Sequence, residues 1–438
     1  MPRFILRRGD AALDILDQLE ASMSKPFAAT ENPARLAAPP CERVSSSYRF
    51  ARRMSRMVVS EVREILKVTE QPEIISFAGG LPAPELFPVA AIAQAHAEVF
   101  AEEGAQAMQY STTEGVRPLR EWVARRVAER GTRITADNVV MTTGSQQAID
   151  IVAKVFLDPG DEVIVENPCY LAALQSFSGF EARFIPVESD DHGMRTDQVE
   201  AALRRSRPKL IYVVSEFSNP KGTSLSAERR EHLVSLARQF GVPVFEDDPY
   251  SELRYMGECL RPLAAYDEDG WVISASTFSK TLSPGIRIGW VAAAEKVIQE
   301  LIIAKQAADL HTSTIEQRAT ARLLQTFDYD GHIATLRRVY GERCMAMRNA
   351  IEAHFPSETK WTRPEGGLFL WVELPERVHA REVFAEALEQ KVAFVTGDAF
   401  FAGERRHNFM RLNFSNQQPE MIEEGIKRIA GVLKRRVA

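Results

Sequence analysis

From about residue 139 onward, short apolar runs alternate with amphipathic stretches. Val139–Thr142, Val163–Glu166, Glu181–Val187, Lys209–Val214, Val242–Glu246 and Ile288–Ala293 are each apolar and of strand length. Between them the helical period returns, from Ser145 through Lys154 and over Ala227–Phe240. Helices are also expected over Arg117–Glu129, with Trp122, Val123 and Val127 on the apolar side, and over Ala294–Leu310 and Glu316–Phe327. Strand and helix alternating at this spacing predict an α/β fold, a mostly parallel sheet with helices on both faces. The C-terminal part reads differently. Trp361–Leu374 holds a turn at Gly366-Gly367 and an apolar strand, and Val392–Val395 and Phe409–Ser415 are further strands, so a smaller α+β unit is expected there.

The N-terminal side carries weaker patterns. Ala11–Met23 reads as a short amphipathic helix, and Lys25–Pro40, with its four prolines, as a linker. A helix is expected over Ser45–Lys67, ending before Pro72. The predicted division is an extension (1–40), a segment packing with the small unit (41–75), a large unit (76–315) and a small C-terminal unit (316–438).

Composition narrows the function classes. The 438 residues are 26% charged and 45% hydrophobic, ordinary for a globular chain with room for a large core. The 54 basic and 60 acidic residues leave a net charge of −6, which speaks against nucleic acid as a partner despite the local cluster Arg49, Arg52, Arg53 and Arg56. Cys41, Cys169, Cys259 and Cys344 are scattered, with no Cys-x-x-Cys, so neither a metal site nor a disulfide framework is expected, and a reducing cytoplasm is the predicted location. No apolar run approaches a membrane span. MPRFILRRGD has too short an apolar stretch for a secretory signal, and Asp10, Asp14 and Asp17 argue against a transit peptide.

The chemistry concentrates in Ser274–Ala293, SASTFSKTLSPGIRIGWVAA. A lysine set among small and aromatic residues is costly to bury unless its amine is used. Lys280, with Thr277, Ser279 and Arg287 nearby, suits a Schiff base with a phosphate-bearing aldehyde cofactor. Three more motifs fall at predicted strand ends. VVMTTGSQQAID places a small-residue turn before a helix N-terminus, an anion site at Ser145 and Gln146, although Ser145 as a simple helix cap fits equally well. SEFSNPKG carries Asn219, and DDPY carries Asp247 and Tyr250, on the same sheet edge.

In order and spacing, these motifs resemble fold-type I pyridoxal-phosphate aminotransferases of class I/II, from about Ser60 to the C-terminus. The resemblance implies the pyridoxal-phosphate transferase fold, with a large domain built on a mixed, mostly parallel sheet and a smaller α+β domain. It implies pyridoxal 5'-phosphate as cofactor, carried by Lys280, whose amine also moves the substrate proton. Asp247 is then expected at the pyridine nitrogen, Asn219 and Tyr250 at the phenolic oxygen, and Tyr170 stacked on the ring. Ser145, Gln146, Thr277, Ser279 and Arg287 are expected at the phosphate, with Tyr110 reaching there from the other subunit of a homodimer. Gly80, Asn219 and Arg411 are expected near the substrate carboxylate. The run SEVREILKVTEQPEIISFAGGLPAPELFP resembles the 2-aminoadipate and kynurenine aminotransferase group, where Ser60 and Arg63 would meet the substrate side chain. The substrates implied are an L-amino acid (2-aminoadipate-like, lysine-derived, aromatic or branched) and a 2-oxo acid such as 2-oxoglutarate, in a ping-pong reaction. One departure stands out: FVTGDAFF has Thr396 where relatives often carry proline. Two other functions compete: a lyase, decarboxylase or oxidase on the same scaffold, and a transcription regulator that uses the fold as a sensor.

Overall fold

The computed structural model describes residues 48–57 and 71–437. After β1 (Ile75–Ser76), eight strands build the main sheet: β2 (Val139–Thr142), β3 (Glu162–Asn167), β4 (Arg183–Asp190), β5 (Gly193–Met194), β6 (Leu210–Val213), β7 (Val244–Asp247), β8 (Val272–Thr277) and β9 (Gly289–Ala292). Their order is β2-β9-β8-β7-β6-β3-β4-β5. The five strands from β8 to β4 run parallel, while β9 is antiparallel to both its neighbours and β5 to β4. The sheet is therefore the mixed, mostly parallel one expected. Val163, Ile164, Leu210, Ile211, Val244 and Phe245 are buried because helices cover both faces, which is why these strands read as unbroken apolar runs.

Besides the two-residue β5, which the sequence reading lacks, two strands differ from expectation, each for a local reason. The one expected over Glu181–Val187 starts at Arg183, because Glu181 takes a left-handed φ of 60° in the turn after helix Leu171–Gly179. β8 is absent from the sequence reading. Its alternate positions hold Ser274 and Ser276, whose hydroxyls donate to Glu246 and to the Asp248 carbonyl, so its polar face answers hydrogen bonds rather than apolar packing.

A second sheet, order β10-β11-β14-β13, joins β10 (Lys360–Trp361), β11 (Phe369–Glu373), β13 (Val395–Thr396) and β14 (Phe409–Asn413), all antiparallel. The strand expected over Val392–Val395 splits at Phe394, its first half being β12 (Val392–Ala393). This sheet's apolar face packs with Ile422, Ile426 and Ile429 of helix Pro419–Val437. Helix Tyr329–His354, also absent from the sequence reading, serves both cores. Tyr329, Ile333, Leu336 and Tyr340 pack with the main sheet's core, and Cys344, Met347 and Ile351 with the second. Its apolar stripe is divided between two destinations, which blurs the periodicity.

The segment after Gln71 fastens the two sheets together. β1 pairs in parallel with β12, Phe77 N–H donates to the Ala393 carbonyl at 2.7 Å, and Asn413 N–H donates to the Phe77 carbonyl at 2.9 Å. Of the helix predicted over Ser45–Lys67, only 48–57 are described, and there it is a single 3-10 turn, Arg52–Ser55. All ten of these residues are exposed, so none of the described residues buries an apolar helix face there.

Strand β9 passes very close to the turn after β2. A Cβ on Gly289 would stand 2.8 Å from the Gly144 carbonyl carbon and from the Ser276 carbonyl oxygen, both backbone atoms. Gly289→Ala is expected to cost about 1–3 kcal/mol in urea unfolding. Gly431→Ala, in a helix with open space around it, should instead stabilise by about 0.5–1 kcal/mol.

Candidate active site

The carboxyl ends of the parallel strands collect the residues singled out above, as open α/β sheets require. β3 leads to Asn167 and Tyr170, β6 to Asn219, β7 ends on Asp247 with Tyr250 beyond, and β8 runs into Thr277–Lys280. β2 points the same way and delivers Gly144 and Ser145. The Asn167–Pro168 and Asn219–Pro220 bonds are both cis.

Lys280 is half-buried, and its Nζ donates to the Gly80 carbonyl at 2.8 Å. No acidic group pairs with it among the described residues. Burial holds its amine down, to about 8 against the usual 10.5, and the Arg411 and Arg287 guanidinium groups push the same way. At pH 7 about a tenth of such an amine is unprotonated, far more than at its ordinary value, and that fraction is the nucleophile.

Asp247 is 2% exposed. Its Oδ2 accepts from the Tyr212 hydroxyl at 2.8 Å, while Oδ1 is buried with no partner. Burial pushes its carboxyl up to about 7, the Tyr212 hydrogen bond opposes this, and Asp248 adds to it. Tyr250 is buried edge-on to Phe369, its phenol raised by burial and engaged with the Asn219 side chain. Asn219 Oδ1 accepts from Arg411 Nη1 at 2.9 Å. Arg411, 3% exposed on β14, also donates through Nη2 to the Ala78 carbonyl, and its Nε has no partner. The guanidinium lies over the rings of Phe369, 4.5 Å away, and Phe400, 5.2 Å away. Burial pulls it down to about 10, against the Tyr250 and Tyr170 phenols. The structural ion pair that would explain a buried arginine is absent among the described residues.

The second cluster surrounds the turn after β2. Gly144 has a φ of 74°, and a Cβ there would run into the Arg287 guanidinium. Arg287 takes a left-handed φ of 53° that turns its side chain back onto this loop, where Nη2 donates to the Thr143 carbonyl at 3.2 Å. Thr277 and Ser279 hydroxyls lie 2.8 Å apart. Helix Ser145–Phe156 opens with Gly144, not Ser145, as its N-cap, and no side chain caps it, so the capping role for Ser145 does not hold. Gln146 is exposed and reaches toward the Ala172 carbonyl.

Other predicted residues stand apart. The Tyr110 ring is 78% exposed, edge-on to His311. Tyr170 is half-buried at the start of helix Leu171–Gly179. Ser60 and Arg63 lie outside the described residues. Thr396 donates its hydroxyl to buried Asp398, which Arg381 also engages, so the place often taken by proline here anchors the turn that leads to Phe400. Two participants were missed. Tyr212 is one; no signal in the chain marked it, because its contact depends on the register that sets it beside Phe245, two residues before Asp247 on one sheet face. Lys305 is the other. It is fully buried and donates to Gln147 Oε1 at 3.0 Å and to Asp309, while Gln147 Oε1 accepts from Thr143 N–H, bracing the turn.

Residues 73–429 match the family described as aminotransferase class I and II. An aromatic-amino-acid aminotransferase of Thermococcus litoralis is 44% identical over 391 residues, 88% of this chain and 94% of that protein. The crystal structure of Pyrococcus horikoshii kynurenine aminotransferase, in complex with PMP, KYN and KYA, superposes with a TM-score of 0.86 at 41% identity, over 89% of this chain and 98% of that one. That of the alpha-aminoadipate aminotransferase of Thermus thermophilus, complexed with N-(5'-phosphopyridoxyl)-L-leucine, gives 0.83 at 39%, over the same shares. This chain belongs to the class I and II aminotransferases. It is a fold-type I enzyme that transfers amino groups with pyridoxal 5'-phosphate as cofactor.

The aminotransferase's own residues fit that cofactor. The orphaned Oδ1 of Asp247 is an acceptor waiting for an N–H, and a pyridinium nitrogen offers one. At the other end, Arg287 donates only to backbone carbonyls beside a helix N-terminus whose first N–H groups lack helical partners, which suits a phosphate dianion. Between them Lys280 offers an amine to an aldehyde. Because only the unprotonated amine attacks, the rate at which apoenzyme captures pyridoxal phosphate is expected to rise about tenfold per pH unit below about pH 8 and level off above it. Stopped-flow absorbance measures this; a rise continuing to pH 10 would contradict a depressed Lys280.

Proposed function

We propose that this aminotransferase moves the amino group of aromatic and 2-aminoadipate-like L-amino acids to 2-oxoglutarate by a ping-pong route. The observation that carries the reading is Arg411: a buried guanidinium with a free Nε, no acid beside it, and a hydrogen bond to Asn219. A buried cation lacking its counter-ion favours an incoming carboxylate strongly. The names of the relatives above, aromatic-amino-acid, kynurenine and alpha-aminoadipate aminotransferases, support the same substrates.

The roles follow from position and chemistry. Bound pyridoxal phosphate supplies an aldehyde to accept the amino group and a ring to accept electrons from the substrate Cα. Arg411 and Asn219 hold the α-carboxylate, with the Gly80 backbone alongside. Lys280 would act as the base at the substrate Cα and then return that proton, a task suited to an amine whose proton is held at about 8. Asp247 would face the ring nitrogen, Asn219 and Tyr250 would hold the phenolic oxygen, and Tyr170 would stack on the ring. Ser145, Gln146, Thr277, Ser279 and Arg287 hold the phosphate, joined by Tyr110 from the second subunit of a homodimer. The exposure of Tyr110 fits a residue serving another chain. By the resemblance of their segment, Arg63 and Ser60 would meet the distal end of the substrate. We place the enzyme in the cytoplasm: Cys169 and Cys344 are buried and unbridged, and no helix among the described residues is long and apolar enough to cross a membrane.

A single half-reaction separates transfer from other chemistry on this scaffold. Mixing holoenzyme with one equivalent of donor should convert the cofactor to its pyridoxamine form, and one equivalent of 2-oxoglutarate should restore the original spectrum. Release of ammonia or carbon dioxide without that exchange would favour a lyase or decarboxylase. In a donor screen, Arg63→Ala should lower kcat/KM for 2-aminoadipate about 10- to 100-fold and leave phenylalanine within about threefold, the size expected for one lost charged contact. Equal losses for both donors would remove Arg63 from side-chain recognition.

A further inference from the structure

Asp247 has two oxygens with different fates, and the difference points past the residues already discussed. Oδ1 is open; Oδ2 is taken, at 2.8 Å, by the hydroxyl of Tyr212. Tyr212 stands in the middle of the sheet, on β6, 1% exposed. Its ring is locked edge-on to Phe177, centroids 5.4 Å apart, and against Phe245 at 5.6 Å. The backbone register sets Tyr212 beside Phe245, so the phenol extends along the strand direction to the next residue on that face, Asp247. The hydroxyl therefore cannot swing away, and the carboxylate it holds cannot rotate without losing the bond.

We infer that Tyr212 is a positioning residue for the amino-transfer reaction, aiming the free oxygen of Asp247 at the ring nitrogen and keeping the carboxylate the weaker base of that pair. This rests on the reading of Asp247 as the partner of the cofactor nitrogen. A proton between a carboxylate and a pyridine nitrogen settles on the stronger base. A dry carboxylate with no other donor would take it, and the ring would lose the charge that makes it an electron acceptor. A phenol donating to the far oxygen stabilises the ionised carboxylate and leaves the proton on the ring. Burial raises the Tyr212 hydroxyl well above its usual range, so it donates a hydrogen bond without giving up its proton. The other groups facing Asp247 supply no such donor. Cys169, from the turn after β3, is a buried thiol raised by burial. Asp248 is a like charge already held by Arg130 at 2.9 Å. Tyr250 is turned to Asn219.

The test is a double-mutant cycle on holoenzyme with Tyr212→Phe and Asp247→Asn. Tyr212→Phe keeps the ring and its packing, so its melting temperature should stay near wild type. Its kcat should fall about 10- to 100-fold with KM changed far less, as expected for a hydrogen bond to a charged group. The pyridoxal-phosphate dissociation constant, read by fluorescence titration, should rise about tenfold, and the acid limb of kcat against pH should move about one unit upward, because the carboxylate now protonates more readily. Added to Asp247→Asn, Tyr212→Phe should change nothing further. Val244→Ala, a buried deletion on the opposite face of β7 from Tyr212, should cost stability without moving the acid limb. Wild-type kcat, cofactor affinity and pH profile in Tyr212→Phe would overturn the inference, as would losses that multiply in the double variant. If Asp247→Asn alone leaves cofactor binding and turnover intact, the role of Asp247 falls, and this inference with it.

Discussion

Two cations, half-buried Lys280 and buried Arg411, have no acid paired to either among the described residues, and the architecture is arranged around that electrostatic debt. Each is met instead by a backbone carbonyl of one short segment: Gly80 for the lysine and Ala78 for the arginine. A neutral acceptor satisfies a donor without cancelling its charge. The two residues come from different sheets, the lysine from the loop after β8 and the arginine from β14. The segment that reaches both is itself bound into the second sheet through β1 and Phe77. The same strands that hold the fold together thus hold two positive charges facing a common space. That is a poor arrangement for stability and a good one for binding a dianionic cofactor and a carboxylate substrate.

The enzyme contains a contrasting case that shows how it treats a buried charge with no chemical task. Glu216, almost fully buried, is paired with Arg254 at 2.8 Å and with Arg230 at 3.4 Å, and Arg130 lies 3.5 Å away. Every oxygen is engaged, and the cluster ties the loop after β6 to helix Ala227–Phe240 and to the turn after Tyr250. Asp247 lies one strand away and is left with an open oxygen. Such a difference between neighbouring carboxylates is what separates a structural pair from a site held ready for a ligand.

The phosphate end follows a similar logic with backbone rather than side chains. Gly144 and Gly289 leave room for a turn to press against a strand, and Arg287 bends back onto it in a left-handed conformation. Lys305, Gln147 and Asp309 brace the turn from below through hydrogen bonds to its backbone and to each other. Rigidity here fixes the distance from this turn, proposed above to hold the phosphate, to the amine of Lys280, and so where an aldehyde would be presented to it.

The sequence by itself determined the alternation of strands and helices, a mostly parallel sheet, and the residues at its carboxyl edge, because these follow from local patterns. Apolar runs follow from burial on both faces, and polar residues at strand ends follow from where a parallel sheet leaves open backbone. It also contained the lysine, the acid and the arginine in an order and spacing that pointed to one cofactor. Only the tertiary structure decided which groups touch. That Tyr212 holds one oxygen of Asp247 depends on the register between β6 and β7. That Lys305 lies beneath the phosphate turn depends on helix packing across residues far apart in the chain. That helix Tyr329–His354 exists at all depends on two cores sharing its faces. Hydrogen bonds and packing between distant segments leave no periodic trace in the chain, so the partners of each site residue had to be read from the fold.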